Sequence, residues 1–159
     1  MSKFVFFHLM DGPNGWSSNW YPAEFREGNL TFHNVEQYLM YHKALTFGDT
    51  ETANEIMADS DPVKVKELGR KVRGYIDSKW ASIRYGICYE GNRLKFTQSE
   101  GLRNELLATT GEFAECAPND LIWGIGLDIR DKKCFDKNEW RGQNLLGQIL
   151  TSLRDELKG

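Results

Sequence analysis

A chain of 159 residues with 40% hydrophobic and 27% charged residues has the make-up of one soluble domain able to bury a sizeable core. Its formal net charge of -3 gives no global pull towards nucleic acid or an anionic membrane. No apolar run approaches a membrane span, and Met1–Asp11 lacks the basic start and long apolar core of a signal peptide, so the cytoplasm is the expected compartment.

Lys3–Leu9 is a short apolar, aromatic run and predicts a strand; Asp11–Asn19, dense in Gly, Pro, Asn and Ser, predicts a loop. Trp20–Phe25 and Leu30–Phe32 flank the turn residues Glu27–Asn29 and predict a hairpin. The rest of the chain is organised around Asn34 to Phe47, reading NVEQYLMYHKALTF. Asn34 can cap a helix start, with Gln37 completing a capping box. Glu36, Leu39, Met40, Lys43 and Phe47 then recur at three- and four-residue spacings and share one helical stripe. That stripe is mostly apolar, yet it carries a carboxylate and an ammonium. Charges on a core-facing stripe must be paired or face a cleft, because burying them alone is costly. Two readings follow. Glu36 and Lys43 are a buried ion pair that holds the helix down, or they are an acid/base or nucleophile pair on the floor of a pocket.

Asp49 is placed to cap a second helix, Thr50–Ala58, and Asp61-Pro62 to open a third that stops at Gly69. Asp77 is expected to cap a long helix whose apolar side holds Trp80, Ile83, Ile87 and Leu94, with Gly91 weakening its middle. Ser99 is expected to cap another helix, carrying Leu102, Leu106 and Leu107. Phe113–Cys116 predicts a strand, and Leu121–Ile129 a strand or loop interrupted by two glycines. Gly142–Leu157 closes the chain as a helix with a wide leucine-rich face. The class is α+β with helix predominating, over a single domain of residues 1–159.

Few stretches carry chemistry. The cysteines Cys88, Cys116 and Cys134 are far apart and odd in number, which fits free thiols. His8, His33 and His42 show no ligand spacing, which argues against a metal. Trp123–Leu127 (WGIGL) is too short of a third glycine to be a dinucleotide fingerprint. Its two glycines let a ligand approach the backbone beside an indole, with Asp120 at the mouth of the loop; the alternative is a tight turn packed by Trp123. Lys64, Lys66, Arg70, Lys71 and Arg73 form the dense basic cluster, either a solvated helix face or a phosphate-holding patch. Trp80 reads as core by its spacing.

These pieces, in order, resemble the NADAR (YbiA-like) family, the NAD/ADP-ribose-associated domain. Ser17–Phe25 resembles its S-N-F-Y-P opening and Val35–Leu45 its E-H-Y-Y-Q-A-x-K-A helix. Asp61-Pro62, Leu68-Gly69-Arg70 and Trp80 match its D-P…L-G-R…W segment, and Lys95-Phe96 its K-F. Leu106–Gly111 matches L-L-x-T-G, and Glu115 with Asn119–Gly126 matches E-x-x-x-x-D-x-x-W-G-x-G. Trp140–Gly147 with Leu153-Arg154 matches the closing W-x-G-x-N-x-L-G…L-R. The resemblance implies a metal-independent, cofactor-free N-glycosidase that cleaves the bond between a ribose anomeric carbon and an exocyclic amine. Its substrates would be ADP-ribose attached to guanine, in nucleic acid or nucleotide, or ribosylamino-pyrimidine intermediates of riboflavin synthesis. A non-catalytic ADP-ribose-binding module is the competing class. ADP-ribosylated nucleic acid and a partner ADP-ribosyltransferase toxin are the macromolecules such a role brings with it.

By the same resemblance the catalytic residues are Lys43, Glu36 and Asp120. Asn19, Tyr21, Gly69, Arg70, Trp80, Trp123, Gly124, Gly126 and Asn144 would bind substrate. Lys43 would attack the sugar carbon to give a Schiff-base intermediate, with Glu36 as proton acceptor or base for water and Asp120 as general acid or ribose-hydroxyl anchor. In a direct mechanism Glu36 and Asp120 would flank the bond instead. One departure stands out: the histidine after the family glutamate is Gln37 here, and His42 projects from another face.

Overall fold

In the computed structural model, which describes residues 3–159, the elements run β1 (Phe4–Phe7), β2 (Phe25–Glu27), β3 (Leu30–Phe32), α1 (Val35–Thr46), α2 (Thr50–Met57), α3 (Pro62–Arg70), α4 (Asp77–Gln98), α5 (Glu100–Leu107), β4 (Glu112–Glu115) and α6 (Leu145–Lys158). Short 3-10 turns lie at Gly15–Ser17, Lys132–Phe135 and Lys137–Glu139. The class is α+β, as the sequence predicts. Two compact units divide the chain, residues 22–99 and residues 1–21 with 100–159.

In the first unit, α1 packs on α2, α3 and α4, and the β2–β3 hairpin lies against α4 and α1. The hairpin pairs Phe25 with Phe32 and turns at Gly28, whose φ of 61° is left-handed. Its first strand begins at Phe25, later than Trp20; before it, Trp20 and Tyr21 form a turn and Ala23 N–H makes a single bond to the His33 carbonyl at 2.9 Å. Asn34 caps α1 by accepting from Gln37 N–H at 2.8 Å. The capping box is modified. Gln37 Oε1 accepts from His33 N–H, one residue before the cap, while its Nε2 donates to the carbonyls of Ile56 and Asp59. Fully buried, Gln37 clamps α1 to the end of α2.

Gly69 does not stop α3, which runs through it to Arg70. A Cβ there would collide with the Met40 thioether, so the glycine is needed where α3 meets α1. Gly91 likewise sits under the Tyr38 ring and leaves α4 unbroken for 22 residues. Ile76, not Asp77, is the cap residue of α4; Asp77 instead accepts from the Tyr75 hydroxyl. The buried face of α4 is Trp80, Cys88, Gly91, Asn92, Lys95 and Phe96, while Ile83, Ile87 and Leu94 are only half-buried.

In the second unit β1 and β4 pair in parallel, Phe4 opposite Glu112, and α6 covers β4 with Leu146, Ile149, Leu150 and Leu153 buried. Helix α6 starts at Leu145 rather than Gly142, because Asn144 sits at φ 55°, outside helical geometry. Residues 121–129 form loop, not strand, and their carbonyls receive the backbone N–H groups of Arg141 through Leu146 at 2.8–3.1 Å. The loop thus satisfies the orphan donors at the start of α6. All three cysteines are buried and none forms a disulfide. No helix of the described residues is long and apolar enough to cross a membrane.

Candidate active site

Helix α1 sets out two opposed side-chain groups because its cap fixes its phase. On one side, Tyr38 donates to Glu27 Oε2 at 2.7 Å, and His42 Nε2 lies 2.9 Å from Glu27 Oε1. The two rings are 4.4 Å apart. His42 is therefore tied to the hairpin, which is why it does not stand in for the missing histidine.

On the other side stand Glu36 and Lys43. Glu36 is 8% exposed, and Lys43 is half-buried. The Lys43 ammonium lies 4.7 Å from the centroid of the Tyr75 ring and 6.0 Å from that of Trp80. The Glu36 carboxylate acts on it through space. Burial pushes the Lys43 ammonium below the ordinary lysine value, the Glu36 carboxylate works against that, and the Arg70 guanidinium adds to it. Desolvation prevails, so the neutral amine is easier to reach than on a free lysine. Trp80 is core, as its spacing predicts, and it also forms a wall of this site.

The basic cluster is split. Arg70, in the last turn of α3, is exposed and acts on Lys43. Arg73 is committed: its Nη2 donates to Asp49 Oδ1 at 2.7 Å and to Glu51 Oε2 at 3.2 Å, and its backbone N–H donates to Asp49 Oδ2 at 2.9 Å. The guanidinium holds the Asp49 carboxyl well below the usual carboxylate range. Arg73 is thus a staple between the α2 cap and the loop of residues 71–76, and no longer a phosphate ligand.

In the other unit, Asp120 Oδ1 accepts from the N–H groups of Ile122 and Trp123 at 3.0 and 2.9 Å. The carboxylate braces the loop that carries the half-buried Trp123. The reason for the two glycines is corrected here. A Cβ at Gly124 would lie 2.9 Å from the Glu115 carbonyl oxygen, and one at Gly126, whose φ is +73°, 2.8 Å from Leu121 Cδ2. Packing within the chain thus accounts for both glycines. Asn144 is corrected in the same way. Its Nδ2 donates to the Phe113 carbonyl at 2.9 Å and its Oδ1 accepts from Glu115 N–H at 3.1 Å, so the side chain is spent on β4. Gly69, too, is explained by Met40 rather than by substrate. Asn19 is buried and Tyr21 half-buried beside the turn in which Tyr21 N–H donates to Ser18.

Two residues were not among the site candidates read from the sequence, Tyr75 and Lys95, the latter noted only as part of the K-F match. Tyr75, 40% exposed, follows Gly74 at φ +78°, a glycine–aromatic pair just before a helix start. Lys95 is 1% exposed, and burial lowers its ammonium to about 7. Its signal was an odd lysine beside Phe96, within the apolar half of α4. Among the described residues no cluster of His, Cys, Asp and Glu could hold a metal ion.

The N-glycosidase R617 of Acanthamoeba polyphaga mimivirus is 40% identical to this chain, over 97% of it and 96% of the viral protein. The solved NMR structure of the Escherichia coli protein YbiA superposes with a TM-score of 0.81 at 27% identity, covering 99% of this chain and 87% of that one. Riboflavin biosynthesis protein VVA0006 of Vibrio vulnificus is 27% identical over 99% of this chain but only 40% of its own length. The chain is a hydrolase of the N-glycosidase class, as the naming of R617 and of E. coli YbiA bears out. The NADAR domain model matches residues 5–158, nearly the whole sequence, and the chain belongs to the NADAR family.

Proposed function

We propose that this N-glycosidase removes ADP-ribose from the exocyclic amine of guanine, in a nucleotide or in nucleic acid, through a covalent intermediate on Lys43. The observation that carries the reading is the Lys43 ammonium itself: desolvated, faced by Tyr75 and Trp80, and lowered despite Glu36. A nucleophile needs its neutral form, which this desolvation favours.

The steps balance with Glu36 as the proton carrier. Its carboxylate takes the Lys43 ammonium proton, and the neutral Nζ bonds the anomeric carbon. The bond from that carbon to the guanine amine breaks, and the leaving nitrogen takes its electron pair and the proton held by Glu36. The ring carbon–oxygen bond then opens as Nζ donates its lone pair to the carbon and passes its proton to the ring oxygen, giving the Schiff base. Water adds across the C=N bond, and the carbinolamine collapses to free lysine and the sugar aldehyde, which closes to ADP-ribose. Arg70 supplies the exposed cation for a phosphate.

A ribosylamino-pyrimidine of riboflavin synthesis is the second reading, favoured by the name of the Vibrio relative. The test offers ADP-ribosyl-guanosine, ADP-ribosylated DNA and RNA, and the ribosylamino-pyrimidine side by side, with borohydride present in a parallel set. Fastest release from a guanine substrate and an adduct mass on Lys43 support the proposal. A fully active Lys43→Ala variant sinks the covalent step. Preference for the pyrimidine moves the substrate assignment, and tight ADP-ribose binding with no turnover of any substrate returns the chain to a binding module.

A further inference from the structure

The Tyr75 ring stands out from the structural pattern of this unit. It is a large aromatic left 40% exposed. It is also held in place. Arg73, two residues before it, is stapled to Asp49 through side chain and backbone. Gly74 makes the left-handed turn at φ +78°, and a Cβ there would lie 3.3 Å from the Phe47 carbonyl oxygen. The Tyr75 hydroxyl donates to Asp77 Oδ1 at 2.8 Å on the first residue of α4. Its ring meets Phe47 edge-on, centroids 5.4 Å apart. An exposed ring fixed by a staple, a turn, a hydrogen bond and an edge contact has lost the rotamer freedom that makes surface aromatics poor binders.

We propose that Tyr75 is the specificity wall of the Lys43 site: its ring lies 4.7 Å from the ammonium and, left 40% exposed, is the aromatic surface beside the amine against which the planar leaving base packs. The inference rests on the reading of Lys43 as the reacting group and adds how the leaving group is chosen. A purine covers more of such a ring than a pyrimidine does, so stacking there favours the guanine substrate. The same ring keeps water from Lys43 and so supports its desolvation. The groups that face the ammonium are Glu36 of α1, Arg70 of α3 and Trp80 of α4, besides Tyr75 itself.

The experiment measures guanosine binding by calorimetry, which needs no turnover, together with KM and kcat on ADP-ribosyl-guanosine and on the ribosylamino-pyrimidine. The proteins are wild type, Tyr75→Phe and Tyr75→Leu. Tyr75→Phe keeps the ring and is expected to hold both constants within about threefold of wild type. Tyr75→Leu is expected to weaken guanosine binding and raise KM for the guanosine substrate by roughly tenfold, the size of one lost base–aromatic stack. KM for the pyrimidine should change less, and the acid limb of the pH–rate profile should move to higher pH as Lys43 becomes hydrated. Equal guanosine binding by Tyr75→Leu and wild type, or no guanosine binding by either, overturns the wall. Loss of adduct formation at Lys43 with the guanosine difference intact overturns the covalent reading and leaves the wall standing.

Discussion

Gly69 on α3 and Met40 on α1 fit together so closely that a single methyl group at position 69 would occupy the place of the Met40 thioether. This contact sets the approach of α3, which carries Arg70, to α1, which carries Lys43. In an ordinary helix Gly→Ala gains about 1 kcal/mol. Here overpacking reverses the sign, and Gly69→Ala is expected to destabilise the protein by about 1–3 kcal/mol. Urea unfolding of Gly69→Ala, Met40→Ala and the double variant measures it. The double variant should recover part of the loss, since the smaller side chain makes room. A stabilised Gly69→Ala would show that the interface yields freely.

Lys43 makes a prediction about pH. The amine must be neutral to attack, and its folded value lies below the ordinary 10.5, so kcat/KM should rise with pH through a limb centred below 10.5. Glu36 opposes the lowering and Arg70 assists it. Glu36→Gln should therefore move Lys43 titration to lower pH, and Arg70→Met to higher pH. Because Glu36→Gln also removes the proton carrier, the cleaner readout is the pH dependence of Lys43 acylation by an amine reagent, followed by mass spectrometry. No shift in either variant would mean that desolvation alone governs the site.

Lys95 makes a prediction about stability. Its folded value of about 7 lies below the 10.5 of an unperturbed lysine, so between those two values the unfolded chain holds more protons than the folded one. Stability therefore rises with pH across that window, and the full cost of the buried charge is present below about 7. Lys95→Met removes the titration. The variant's stability relative to wild type should fall by a few kcal/mol between pH 7 and pH 10, whatever constant offset the lost ammonium contacts add. Chemical unfolding of both proteins at a series of pH values measures the difference. A gap independent of pH would show that Lys95 stays charged inside the fold.

Much of this protein was legible in the chain itself, where the governing forces are local. Asn34 caps α1, Asp49 caps α2 and Asp61-Pro62 opens α3 because each cap needs only its own side chain and the next few backbone N–H groups. The stripe of Glu36, Leu39, Met40 and Lys43 follows from helical spacing alone, and its two charges left two readings open, a buried ion pair or an acid/base or nucleophile pair. Position 37 shows the limit. The residue type said that a proton-transferring histidine was absent, but only the fold showed Gln37 bonded to Ile56 and Asp59.

What tertiary structure decided is the meaning of residues whose partners are distant in sequence. The glycines at 69, 124 and 126 look alike in a motif as places for a ligand to approach. Packing against Met40, Glu115 and Leu121 shows that the chain already occupies those places. Asn144 reads as a polar ligand until β4, some thirty residues earlier, takes up its amide. Arg73 reads as one more cation until Asp49 claims it. A periodicity records which face a residue is on, and a motif records its type. Whether that residue is spent on the fold or left over for chemistry depends on contacts that only the folded chain brings within reach.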